Sequence, residues 1–145
     1  MTELDAQLAR RKLATITRNL DLLAAVEGLT LAEYRADAFR RKGTERLLQE
    51  LVEAAVDVNI HLLRAAAGAP APPDYYQSFI ALGRHGIVPA PLAEGLAPAA
   101  GLRNCLVHEY DAVDDAIVLA AVGQARRDFT AYVAAIEAYL TGRGH

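Results

Sequence analysis

Apolar residues that return every three or four positions constrain this chain more than any other feature. Leu4, Leu8, Ile16, Leu20 and Leu23 recur at that spacing or at multiples of it, which draws a stripe along a helix and does not match the alternation of a strand. Leu47, Leu51, Ala54, Ala55, Val58 and Leu62 make a second stripe, and Val118, Val122, Phe129, Val133, Ile136 and Leu140 a third. Hydrophobic residues make up 53% of the 145 residues, and Ala and Leu dominate them. Both are strong helix formers, whereas the β-branched and aromatic residues that favour strands are scarce. The expected class is all-α.

Punctuation divides the stripes into elements. Thr2 with Asp5, and Thr30 with Glu33, form capping-box patterns, in which each side chain satisfies a free backbone N–H at a helix start. They predict a helix over about 3–26 and a short one from 30 to near 37. Asp37 then caps a long helix to about 67. Gly43 inside it costs roughly 1 kcal/mol relative to Ala, so a kink or break there is compatible with the pattern. Residues 68–73 are a Pro-rich linker that no helix crosses. Asp74 caps a helix over 75–85 with Gly86 as its stop. Three prolines and Gly95 break 89–98 into turns, with room for one helical turn after Pro91. Pro98 stands at the first position of a helix over about 99–109. The last helix covers 115 to about 140. The expectation is a single domain over 1–145, an up-down helical bundle of about five helices, two of them long and antiparallel with shorter ones beside them.

Charge and cysteine content remove several classes of function. The net charge is −3 and the isoelectric point is about 5.8. A protein that binds long nucleic acid over its whole surface is usually basic, so any RNA contact here comes from a local cluster or is brief. The densest cluster is Arg40, Arg41, Lys42 and Arg46, which is either a phosphate-tracking patch or a solvated helix end. Cys105 is the single cysteine, which excludes an intrachain disulfide and a cysteine-based zinc site. No apolar run approaches the roughly 20 residues that span a bilayer, and the polar N-terminus does not read as a signal peptide. The expected location is cytoplasmic, with no membrane, metal or cofactor.

The segment with chemical content is Gly101-Leu102-Arg103-Asn104-Cys105-Leu106-Val107-His108-Glu109-Tyr110. Arg103 and His108 lie five positions apart, which is about 500° of rotation, so on one helix their side chains diverge by about 140°. With Leu102 and Leu106 in the buried stripe, the two can flank it and reach one cleft wall. RNA carries its own nucleophile, the 2′-OH. An imidazole, which titrates near neutrality, can take that proton or give one to the leaving oxygen. An arginine is always charged and can brace the phosphate as its charge redistributes. Glu109 and Asp111 beside His108 either raise its proton affinity or pair with Arg103.

Arg-x4-His-x-Tyr, reading RNCLVHEY after Gly-Leu, resembles the signature of the HEPN superfamily in its HepT-like form. ERLLQELVEAAVDVNIHLL (45–63) is similar to the long second helix of those proteins, and PPDYYQSFIALGRHGIV (72–88) to their third. The resemblance implies a metal-independent endoribonuclease toxin that acts as a homodimer in a type II/VII-like toxin–antitoxin system. Arg103 and His108 would be catalytic, and Asn104 either meets RNA or caps the preceding segment. It also implies a partner antitoxin with a minimal nucleotidyltransferase (MNT) fold, and makes Tyr110 the tyrosine that such a partner modifies with AMP. The plainer alternatives are a helix-surface arginine, a core-edge histidine and a packed tyrosine. At the level of function the alternative is a catalytically silent bundle that only pairs with a nucleotidyltransferase. Asn59 and His61, in an otherwise apolar helix, read as a satisfied interior or interface polar pair.

Overall fold

The computed structural model describes residues 1–108 and 112–143. Among the described residues seven α-helices follow in chain order: α1 (Glu3–Leu23), α2 (Leu31–Arg35), α3 (Ala38–Ala67), α4 (Tyr75–Arg84), α5 (Ala90–Leu96), α6 (Ala99–His108) and α7 (Asp115–Arg143). No strand occurs among the described residues. Both capping boxes form, with Thr2 and Thr30 each accepting from a backbone N–H and Asp5 and Glu33 each answering the cap N–H. Asp37 and Asp74 cap α3 and α4. Gly68 ends α3 in the left-handed region at φ 62°, a conformation that glycine adopts without the Cβ penalty. α3 runs unbroken through Gly43. The turn expected after Pro91 is α5, two turns long.

Three long helices form the frame. α1 is antiparallel to α3, because Asp5 meets His61, Lys12 meets Asp57 and Asn19 meets Glu50. α1 is also antiparallel to α7, through Arg10 with Glu137 and Arg126 with the Leu20 carbonyl. The long antiparallel pair therefore has a third long member, and α3 and α7 run parallel to each other and touch through Tyr132 with Ala55 and Asn59. Burial of their facing stripes supplies most of the stability, since short isolated helices are marginal in water. The stripe of α1 starts differently from the expected one. Its buried line is Ala6, Ala9, Leu13, Ile16, Leu20 and Leu23, whereas Leu4 and Leu8 are 62% and 40% exposed. Leu8 lies five residues before Leu13, about 140° round the helix, and Leu4 nine before, about 180° round; the two small alanines face the bundle in their place.

Phe79, Phe129 and Tyr132 fill the centre, edge to face, with ring centroids 5.9–6.3 Å apart. Beside them runs a buried polar chain. The Tyr132 hydroxyl lies 2.5 Å from Asn59 Oδ1, Asn59 Nδ2 donates to Ser78 Oγ at 3.1 Å, and Ser78 Oγ donates to the Tyr75 carbonyl at 2.7 Å. Asn59 is thus a satisfied core residue, as expected. His61 goes elsewhere, its Nε2 lying 3.1 Å from the Asp5 carbonyl, so the two do not form one pair. This chain of bonds ties α7 through α3 to the first turn of α4, where Tyr75 borders the site.

Candidate active site

α6 carries the motif. Pro98 precedes it, and Ala100 and Leu106 turn inward with Leu102 packed against the core. The anchored stripe leaves Arg103 at the edge of the bundle and His108, exposed, as the last residue of the helix.

The Arg103 side chain is only 17% exposed. Its Nη2 donates to Glu53 Oε2 at 2.6 Å and its Nε to the same oxygen at 3.2 Å. The other carboxylate oxygen of Glu53 accepts from Gln49 Nε2 at 3.4 Å. The guanidinium carbon stands 4.7 Å from the centre of the Tyr75 ring, within the range of a cation–π contact. Nη1 donates to Asn104 Oδ1 at 3.4 Å. Of the two acidic neighbours read from sequence as partners for Arg103, both lie outside the described residues, and the carboxylate that binds it is Glu53, one helix layer away. Tyr110 also lies outside the described residues.

The basic cluster is spread over the α2–α3 corner. Arg40 Nη1 donates to the Glu33 carbonyl at 2.9 Å, Arg46 pairs with Glu50 at 3.2 Å, and Arg41 shares Asp115 with Arg35 at 3.7 and 3.5 Å. Lys42 is exposed, and Phe39 beside it is 89% exposed. Asp115 opens α7 just past the motif, so this corner also holds the chain that leaves the site. Under the corner, Tyr34 is buried, and burial pushes its phenol up to about 12, with Glu45 and Asp115 adding to the shift.

Glu53 and Tyr75 are the site residues that sequence reading missed. The only signal was their presence in the two segments, 45–63 and 72–88, that carried the family resemblance.

The structure places a braced arginine and an open histidine on one short helix of an all-helical bundle. Comparison with known proteins gives the family. The sequence profile described as "Ribonuclease HepT-like" matches residues 16–136, and the chain belongs to that family; endoribonuclease activity comes with membership. It is 36% identical over 140 residues to a tRNA nuclease HepT of Aphanizomenon flos-aquae, covering 97% of this chain and 95% of that protein. It is 28% identical over 127 residues to an mRNA nuclease HepT of Shewanella oneidensis, covering 88% and 94%. Among solved structures it superposes on a tri-AMPylated Shewanella oneidensis HEPN toxin in complex with an MNT antitoxin, with a TM-score of 0.81, 27% identity, and coverage of 95% of this chain and 99% of that one. Among the described residues no helix is long and apolar enough to cross a membrane.

Proposed function

We propose that this chain is the ribonuclease toxin of a toxin–antitoxin pair, that residues 1–145 act as one catalytic domain in the cytoplasm, and that Arg103 and His108 are its catalytic residues. The observation that carries the reading is the braced Arg103 guanidinium on the same ten-residue helix that ends in an open His108, in a chain of the HepT-like family. Arg103 binds the scissile phosphate and offsets the charge that builds on its oxygens. His108 takes the proton of the 2′-OH, whose oxygen attacks phosphorus. The bond to the 5′-oxygen breaks, and that oxygen leaves with a proton, so the products are a 2′,3′-cyclic phosphate and a 5′-hydroxyl. No metal ion is needed for this sequence.

One imidazole does not perform both proton transfers at once. A two-fold homodimer that brings two copies of α6 together supplies the second His108. Asn104, Arg40, Arg41, Lys42 and Arg46 are the substrate-binding residues, with the exposed Phe39 ring offering a surface on which a base can stack. The partner is an MNT-type nucleotidyltransferase antitoxin. It transfers the AMP moiety of ATP to the Tyr110 oxygen, the phenol losing its proton as the O–P bond forms and pyrophosphate leaving. This places a phosphodiester charge and the bulk of a nucleotide next to the motif and excludes RNA.

The test is induced expression of the chain, alone and with H108A, with growth followed and total RNA sequenced. Growth arrest with new RNA ends in the parent only is the expected result. No arrest and no new ends would leave a silent pairing module. Co-expression with the partner should add AMP increments to the intact mass that disappear in Y110F. An unchanged mass with neutralisation retained would make the antitoxin act by binding alone.

A further inference from the structure

The bonds around Arg103 divide its guanidinium into used and unused parts. Its Nε–Nη2 edge is closed by Glu53 Oε2, at 3.2 and 2.6 Å. Its central carbon stands over the Tyr75 ring, 4.7 Å from the centre. What stays available is the Nη1 edge, where the existing bond to Asn104 is long at 3.4 Å and therefore weak. A bidentate fork to phosphate normally uses a whole edge of the guanidinium, and here the Nε edge is already spent on a carboxylate. The second oxygen of that carboxylate accepts a long, weak 3.4 Å bond from Gln49, so the firm contact of Glu53 is the one to Arg103. The Tyr75 backbone is fixed in turn by Ser78 and through it by buried Asn59 and Tyr132. A side chain with about 2 kcal/mol of rotamer entropy is thus fixed at one edge by Glu53 and against the Tyr75 ring.

We infer that Glu53 and Tyr75 are positioning residues that form a cage for a planar guanidinium cation, aiming the Nη1 edge of Arg103 at the scissile phosphate. The inference rests on the catalytic reading of Arg103. It differs from a lock in which Glu53 competes with phosphate for the arginine. A lock predicts that loss of Glu53 speeds cleavage; a cage predicts that it slows cleavage. In a cage, E53A and Y75L lower kcat by about 10- to 100-fold, the scale for misplacing a catalytic group by an ångström or so, while KM moves far less. E53Q keeps an oxygen that can accept from the guanidinium and retains part of the rate.

A second readout does not depend on activity. R103A should leave the cage standing and vacant of its own side chain, so the full-length R103A protein is titrated with ethylguanidinium while the Tyr75 ring resonances are followed by NMR. The expected result is a saturable shift in R103A that is absent in R103A/E53A and absent when ethylammonium or sodium chloride replaces the probe. Ethylguanidinium should also restore part of the cleavage rate of R103A and none of that of R103A/E53A. If E53A does not give a cooperative thermal melt, E53Q takes its place, with a weakened shift expected. Faster cleavage by a folded E53A or E53Q, no shift in R103A, or equal shifts with and without Glu53 would each overturn the cage. Should R103A cleave as well as the parent, the catalytic reading fails, and the NMR titration still decides whether the cage exists.

Discussion

Replacing Tyr132 by Phe removes one oxygen from the middle of the molecule and tests whether the buried polar chain holds the bundle together. The ring is fully buried and keeps its contacts with Phe79 and Phe129 after the change. What is lost is the hydroxyl 2.5 Å from Asn59 Oδ1 and 3.1 Å from the Ala55 carbonyl. One proton serves one acceptor at a time, and the shorter contact is to Asn59. The Ala55 carbonyl lies within α3 and keeps its helical bond. Asn59 Oδ1, at 0% exposure of the residue, keeps no such substitute. A buried acceptor left without a donor costs about 1–3 kcal/mol. For a domain of this size that lowers Tm by roughly 4–8 °C at the middle of the range. Thermal and urea denaturation of Y132F measures it. The double variant N59L/Y132F replaces both partners by apolar groups and should recover part of the loss, because Asn59 Oδ1 is then no longer stranded. The recovery is only partial, since leucine is bulkier than asparagine and the bond to Ser78 goes with it. A Y132F protein within about 0.5 kcal/mol of the parent, the scale of a neutral surface change, would refute the reasoning.

Other consequences are equally direct. A Cβ on Gly83 would stand 2.9 Å from Ala93 Cβ and 3.1 Å from Ala90 Cα, so in G83A overpacking of about 1–3 kcal/mol outweighs the roughly 1 kcal/mol gained in helix propensity, and Tm falls; a rise in Tm would show that α5 yields freely. The Tyr34 phenol is raised from 10.0 to about 12, so its contribution to stability is complete below pH 10 and is lost as pH rises towards about 12; alkaline unfolding should lose this dependence in Y34F. Asp5 and Glu33 are depressed by their bonds to Thr2 and Thr30, so their contribution holds above the ordinary carboxylate range and drains as pH falls through their lowered values; acid titration of T2A/T30A should be flatter. K42A/R46A should weaken RNA binding across sequences and reduce its salt dependence; an unchanged salt slope would return the cluster to a solvated helix end.

The helices were legible because their starts and stops are local. Thr2 with Asp5, Thr30 with Glu33, and Asp74 close their caps within three residues, and the Gly68 terminus needs only the residue itself. The stripe of α1 was half legible. Size favoured Leu4 and Leu8, but the three-and-four spacing back from Leu13 lands on Ala9 and Ala6, and small residues allow the close approach of a neighbouring helix. For the site, Arg103 and His108 stood out because a contiguous segment carries them. Glu53 did not, because it meets Arg103 across 50 positions of sequence and looks like one of several acids on a solvated face of α3 beside Glu50 and Asp57. Tyr75 likewise earns its place only through the fold, which sets the start of α4 against α6.

Cleavage of RNA by the purified protein in EDTA, with R103A and H108A beside it and the new ends identified, tests the central claim most directly. The account predicts 2′,3′-cyclic phosphate or 3′-phosphate ends opposite 5′-hydroxyls from the parent, and a loss of about 10²-fold or more in H108A, the usual scale for a general acid or base. Equal cleavage by folded R103A and H108A, or ends bearing a 5′-phosphate, would contradict it.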